Sequence, residues 1–122
     1  MTPNKNSIKY QTRTFIYAFK GLVFFFTKET KAWIHSIAAL AVIISGLLLK
    51  FQLIDWCLVS FAIGFVIVCE IINSAIESIV DLISPEHHVL AGRAKDLAAG
   101  AVLFAAITAI AIAGFVYLPK IF

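Results

Sequence analysis

Apolar and polar positions fall along this chain in blocks long enough for whole helices, and the polar residues inside those blocks recur at helical rather than strand spacing. Residues 1–11 read as a solvated tail. A first helix is predicted over about 12–27, with Phe15, Ile16, Phe19, Leu22, Val23 and Phe26 on one face and Arg13, Tyr17 and Lys20 on the other. Such a helix suits the membrane interface, although Phe24 and Phe25 widen its apolar side enough for a surface helix buried against protein. Lys28-Glu29-Thr30-Lys31 interrupts the run, and three longer segments follow at about 30–49, 56–83 and 90–118, each long enough to cross a bilayer. Lys50–Asp55 is the predicted turn between the first two. Ser84 is the expected stop and cap, with Pro85 at the first position of the next helix and Pro119 as its end. The third span is rich in Ala and Gly, which let helices approach closely. The expected fold is an all-α membrane protein: one domain over residues 1–122, with three transmembrane helices and an N-terminal amphipathic surface helix.

Composition narrows the class. Apolar residues make up 61 % of the 122 and charged residues 14 %, about half the charged share of a soluble domain. Too little polar surface remains to cover a water-soluble globule. No basic run with interleaved aromatics is present, so no nucleic-acid partner is expected. No cleavable signal sequence is expected either, because the first fifteen residues are polar and basic. Cys57 and Cys69 are twelve residues apart in one predicted helix, about 18 Å, too far for a disulfide. Lys5, Lys9, Arg13, Lys20, Lys28, Lys31, Arg93 and Lys95 fall on one side of the spans, and only Lys50 and Lys120 on the other. By the positive-inside rule the N-terminus and the 84–96 loop are cytoplasmic, and the C-terminus is outside. Trp33, Trp56 and Tyr117 are expected as interface anchors.

Charge matters most in the second span, where Glu70, Asn73, Glu77 and Asp81 are spaced three, four and four apart and share one helical stripe. Carboxylates on a membrane helix are costly unless they meet a cation, a proton or one another. Their plainest role would be polar contacts that hold helices together. Counting gives a richer arrangement: Glu29 lies 21 residues before Lys50, and Glu77 lies 22 after Asp55. A helical hairpin would hold both at the cytoplasmic boundary, with Lys95 and Asp96 entering the third span at the same level and Glu70 about 10 Å deeper. Paired carboxylates at a wet boundary suit Mg²⁺ carrying nucleotide phosphates, a lysine suits phosphate oxygens, and a deeper carboxylate suits a base toward a lipid hydroxyl. The same acids also suit a small oligomeric proton or ion carrier with Glu70 as its intramembrane relay. A carrier, however, does not need Glu29, Lys95 and Asp96 at one level.

Glu70-Ile-Ile-Asn73-Ser-Ala-Ile-Glu77-Ser-Ile-Val-Asp81, with Gly92-Arg93-Ala94-Lys95-Asp96 downstream and Tyr17-Ala-Phe-Lys20-Gly21-Leu22 and Glu29 upstream, strongly resembles the bacterial diacylglycerol kinase and undecaprenol kinase family. The resemblance implies a homotrimer in the bacterial inner membrane that transfers the γ-phosphate of ATP to a membrane lipid alcohol, without a Walker loop or a protein-kinase signature. Carried over by position, it implies Glu70 as catalytic base and substrate contact, Asn73 at the reacting centre, and Glu29 and Glu77 as metal-binding carboxylates. Tyr17, Glu29, Glu77, Glu86, His88, Lys95 and Asp96 are implied as nucleotide contacts, and Asp81 has no assigned role. Where diacylglycerol-specific members carry an acid one turn into the first span, this chain has His35, and it lacks their arginine near position 10. Ile34-His35, the 97–103 segment and Pro119-Lys120 look more like the undecaprenol kinase branch, so a polyprenol is the expected substrate and diacylglycerol the alternative.

Overall fold

A computed structural model describes residues 4–122 as four α-helices: α1 Ile8–Lys28, α2 Thr30–Leu48, α3 Leu53–Ile83 and α4 Val89–Ile121. Three of them, α2, α3 and α4, are long and apolar enough to cross a membrane. The chain divides into two compact units, one ending at Trp33 and the other running from Ile34 to Phe122.

In the first unit, α1 starts four residues earlier than the pattern predicts, so part of the expected tail is helical. The reason is a cap. Ser7 stands in extended backbone, and its Oγ accepts a hydrogen bond from the Tyr10 amide at 3.1 Å, satisfying one of the donors a helix start leaves open. The helix ends where Glu29 leaves helical geometry, at φ −91° and ψ 125°. Phe15, Ile16, Phe19, Leu22, Val23 and Phe26 all remain exposed, an uncovered apolar face of the kind that sinks into lipid headgroups. Phe25 is buried and packs edge-on against Phe26.

In the second unit α3 is the central element. Its enclosed residues, Asp55, Val59, Ala62, Val66, Glu70 and Asn73, repeat at four, three, four, four and three, one stripe down the whole helix. Helix α4 packs closely on α3, with Ala98, Ala105 and Val116 buried. The small side chains permit that approach. Helix α2 stands further off, and between it and α3 and α4 lies an apolar cavity of about 160 Å³ with His35 and Tyr117 as its polar lining residues. Elsewhere large apolar side chains such as Leu40, Phe61, Val68, Phe104 and Phe115 point outward, as lipid-facing residues must.

At 31 and 33 residues, α3 and α4 run to about 46 and 50 Å, well past a hydrocarbon layer of about 30 Å. Two ion pairs mark the ends of this helix pair. Lys95 Nζ lies 2.5 Å from Asp81 Oδ1 at one end, and Lys120 Nζ lies 2.7 Å from Asp55 Oδ2 at the other.

The α2–α3 turn explains where the second span begins. Lys50 adopts φ 57°, and the Phe51 amide bonds back to the Gly46 carbonyl at 2.9 Å, a Schellman ending built on a lysine in place of glycine. Gln52 and Asp55 then form a reciprocal capping box, so α3 starts at Leu53 rather than at position 56. Phe51 folds under the turn to join Val59 and Val116, with Val42, Trp56, Ile112 and Tyr117 around them. Trp56 and Tyr117 are therefore core residues as well as candidate anchors; the Tyr117 hydroxyl also bonds Ser45 Oγ. Trp33 is exposed, as an anchor should be.

Two further expectations are corrected. Residues 84–88 form an irregular connection, so Pro85 opens no helix; α4 begins at Val89 with His88 as its cap, where Nδ1 accepts from the Leu90 amide at 3.1 Å. Pro119 does not end α4, which continues to Ile121. So near the terminus the missing N–H costs a single helical bond, to the carbonyl four residues back.

Gly46 is where α2 meets this core. A Cβ there would lie 2.6 Å from Trp56 and 2.7 Å from Phe51. Gly46→Ala should therefore lower stability by about 1–3 kcal/mol, seen as a lower Tm of the detergent-solubilised protein; an unchanged Tm would contradict this packing.

Candidate functional site

The inward stripe of α3 changes chemistry between Val66 and Glu70. From Val59 to Val66 it is hydrocarbon; beyond it, Glu70 is 5 % exposed and Asn73 only 2 %. Helix α3 carries these groups inward because they continue the spacing of its packing residues. The Glu70 carboxylate receives a contact from α2, with His35 Nε2 at 3.0 Å from Oε1. Asn73 Nδ2 donates to Glu77 Oε1 at 3.0 Å, tying the amide to the next acid of the stripe. Asn73 Oδ1 is buried and makes no hydrogen bond among the described residues. An amide oxygen enclosed in this way is an acceptor available to a ligand.

One and two turns further on, α3 leaves the enclosed region. Glu77 is half-buried and Asp81 exposed, and Asp81 holds Lys95 of α4. Asp81, which the sequence leaves without a role, thus fixes the lysine expected to meet phosphate. A polar pocket of about 260 Å³ opens at this α3–α4 corner, lined in part by Asp81, Ser84, Glu86, His87, His88 and Lys95. Three of the expected nucleotide contacts, Glu86, His88 and Lys95, therefore share one concavity, whereas Asp96 is exposed and does not line it. Tyr17 and Glu29 belong to the first unit. There Tyr17 is exposed with Lys20 Nζ 5.7 Å from its ring centroid, a cation–π contact, and Glu29 is half-buried at the break between α1 and α2.

The contact that sequence reasoning missed is His35–Glu70. Its signal was present in the counting already used: His35 lies six residues after Glu29, and Glu70 lies seven before Glu77. A hairpin counted in this way from Lys50 and Asp55 would also set His35 level with Glu70. Among the described residues no three His, Cys, Asp or Glu side chains gather as a metal cluster. Glu70, Asn73 and Glu77 nevertheless offer hard oxygen donors on one face. Such a set fits Mg²⁺, which takes one or two carboxylates and completes its shell with phosphates and water.

Residues 16–117 match the family model described as prokaryotic diacylglycerol kinase. The chain is 36 % identical to the undecaprenol kinase of Bacillus subtilis over 97 % of its own length and 96 % of that protein. It is 38 % identical to a diacylglycerol kinase of Synechocystis, covering 88 % of this chain and 62 % of that one. To the diacylglycerol kinase of Escherichia coli K12 it is 37 % identical over 77 % of each chain.

The two ion pairs at the ends of α3 and α4 should respond differently to loss. Asp81 and Lys95 are substantially exposed, where an ion pair contributes little. Asp55 is enclosed, caps α3 and holds Lys120, itself 5.4 Å from the Phe51 ring centroid. Asp55→Asn should therefore lower Tm more than Asp81→Asn does, and thermal denaturation of both variants checks the order.

Proposed function

From the premise that this chain belongs to the prokaryotic diacylglycerol kinase family and is a lipid kinase, we propose that it transfers the γ-phosphate of ATP to an undecaprenol-type polyprenol, with diacylglycerol as the alternative acceptor. Membership sets aside a proton or ion carrier. The polyprenol ordering is supported by the end-to-end match to an undecaprenol kinase and by His35 at a position where diacylglycerol-specific relatives are expected to carry an acid. The diacylglycerol kinase relatives of similar identity keep the second acceptor in play.

The observation that carries the mechanism is the enclosed Glu70–Asn73–Glu77 stripe. Glu70 is the base: it accepts the proton of the lipid hydroxyl as that oxygen bonds to the γ-phosphorus, while the bond from phosphorus to the bridging oxygen breaks and ADP leaves. Asn73 orients this region, donating to Glu77 through Nδ2 and offering Oδ1 to a ligand donor or to a hydrated cation. Glu77, together with Glu29 on the sequence resemblance, is assigned to Mg²⁺, which when bound neutralises phosphate charge. Lys95, Glu86 and His88 at the α3–α4 corner are assigned to nucleotide, Lys95 as a point charge for phosphate oxygens and held in place by Asp81. Tyr17 and Asp96 are carried as nucleotide contacts on the resemblance alone.

The positive-inside distribution supports a cytoplasmic N-terminus and nucleotide corner, with the C-terminus outside. A homotrimer is proposed because one subunit of three spans cannot enclose so many polar groups from lipid and because the resemblance implies it.

Glu70→Gln should keep nucleotide affinity while turnover falls by about 10²–10⁴-fold, measured as lipid phosphate formed from labelled ATP; near-normal turnover would remove Glu70 from the chemistry. Chelation by EDTA should abolish the reaction and added Mg²⁺ restore it. In competition at equal surface concentration, undecaprenol should be phosphorylated ahead of diacylglycerol, and the reverse order would overturn the proposed substrate.

A further inference from the structure

His35 has no step of its own in the proposed mechanism, yet it reaches the proposed base from another helix. Its Nε2 lies 3.0 Å from Glu70 Oε1, with the two side chains 25 % and 6 % exposed. On α3 the residues one turn before Glu70 are Val66 and Ile67, which line the apolar cavity and supply no polar group. Across the cavity α2 contributes Ala38, Ala39 and Val42, and α4 contributes Ala109, Ile112 and Ala113. A water molecule replacing the imidazole would need two to four polar partners, and at this end of the cavity His35 is the polar lining residue. An ionised carboxylate away from water is costly without a donor, and a donor on one oxygen also restricts rotation about the last side-chain bond.

We infer that His35 is a positioning residue for the general base: its Nε2–H donates to Glu70 Oε1 and so helps to fix the plane in which the carboxylate meets the lipid hydroxyl. It takes Glu70 as the base, the assignment proposed above. The contact comes from α2 while the acid sits on α3, so the geometry of the base depends on how α2 is seated against the α3–α4 pair. Phosphoryl transfer depends strongly on positioning, and small displacements of a catalytic group reduce rate without reducing nucleotide binding. His35 therefore acts on kcat and not on ATP affinity. It is not itself a catalytic residue, because it touches neither lipid nor nucleotide in this role.

The experiment compares the full-length protein with His35→Leu, His35→Gln and Glu70→Gln in mixed micelles, reading kcat, the KM for ATP and direct nucleotide affinity. His35→Leu, which fills the space but donates nothing, should lower kcat by about 10- to 100-fold, the span for losing a hydrogen bond to a charged group, with the KM for ATP within about twofold. His35→Gln retains an N–H donor of similar reach and should recover most of that loss. A purely packing role would move both variants together and would show in Tm as well as in rate. Near-normal kcat for His35→Leu, or equal losses for Leu and Gln, would overturn the inference. If Glu70→Gln is inactive while His35→Leu is fully active, only the positioning role fails; if Glu70→Gln is fully active, the base assignment fails with it.

Discussion

A helix that crosses lipid can present only one face to its own protein, and in α3 that face has to hold both the packing and the acids. Asp55, Val59, Ala62, Val66, Glu70 and Asn73 form one uninterrupted inward line. Enclosing Glu70 there is costly unless a donor reaches it. The rest of the unit answers this requirement. Alanines on α4 bring that helix close, His35 on α2 reaches the carboxylate, and Asn73 ties the next turn to Glu77. The same line carries the hydrophobic packing at one end and the polar chemistry at the other. An error in helix register would damage both.

Much of this was legible beforehand because it follows from period and hydropathy. The three spans, the apolar face of α1 and the Glu70–Asn73–Glu77 stripe all come from residue spacing, which a helix converts directly into a shared face. What was less legible depended on single local hydrogen bonds. Ser7 extends α1 backward, Gln52 with Asp55 starts α3 early, and Lys50 takes a left-handed conformation that usually favours glycine. Pro85 and Pro119 misled for the opposite reason, since proline permits a helix start and discourages continuation without compelling either. The partners of Asp81, Asp55 and Glu70 lie in other helices, and pairwise contacts of that kind appear only when helix register is known.

On the proposed roles, lipid-kinase chemistry separates by depth. The α3–α4 corner gathers Glu86, His88 and Lys95 around an open polar pocket. Glu70 lies seven residues before Glu77 on α3, about 10 Å away at helical rise and enclosed. A water-soluble phosphate donor and a lipid acceptor have opposite solvent preferences, so a gradient along one helix is a suitable way to bring them together. Excluding water around the deeper acid also disfavours simple hydrolysis of the donor.

The ion pairs at the two ends of α3 and α4 bear on how the molecule can move. Asp55 and Asp81 are 26 residues apart on α3, and Lys120 and Lys95 are 25 apart on α4. The acids and lysines therefore mark nearly equal lengths on two antiparallel rods. A slide of one helical turn, about 5.4 Å, would break both pairs together, and the enclosed Asp55–Lys120 pair would account for most of the cost. Helix α2 has the looser fit, set apart by the cavity and touching the others near its ends through His35 and Gly46. Close packing thus opposes movement of α3 against α4 more than movement of α2 against that pair.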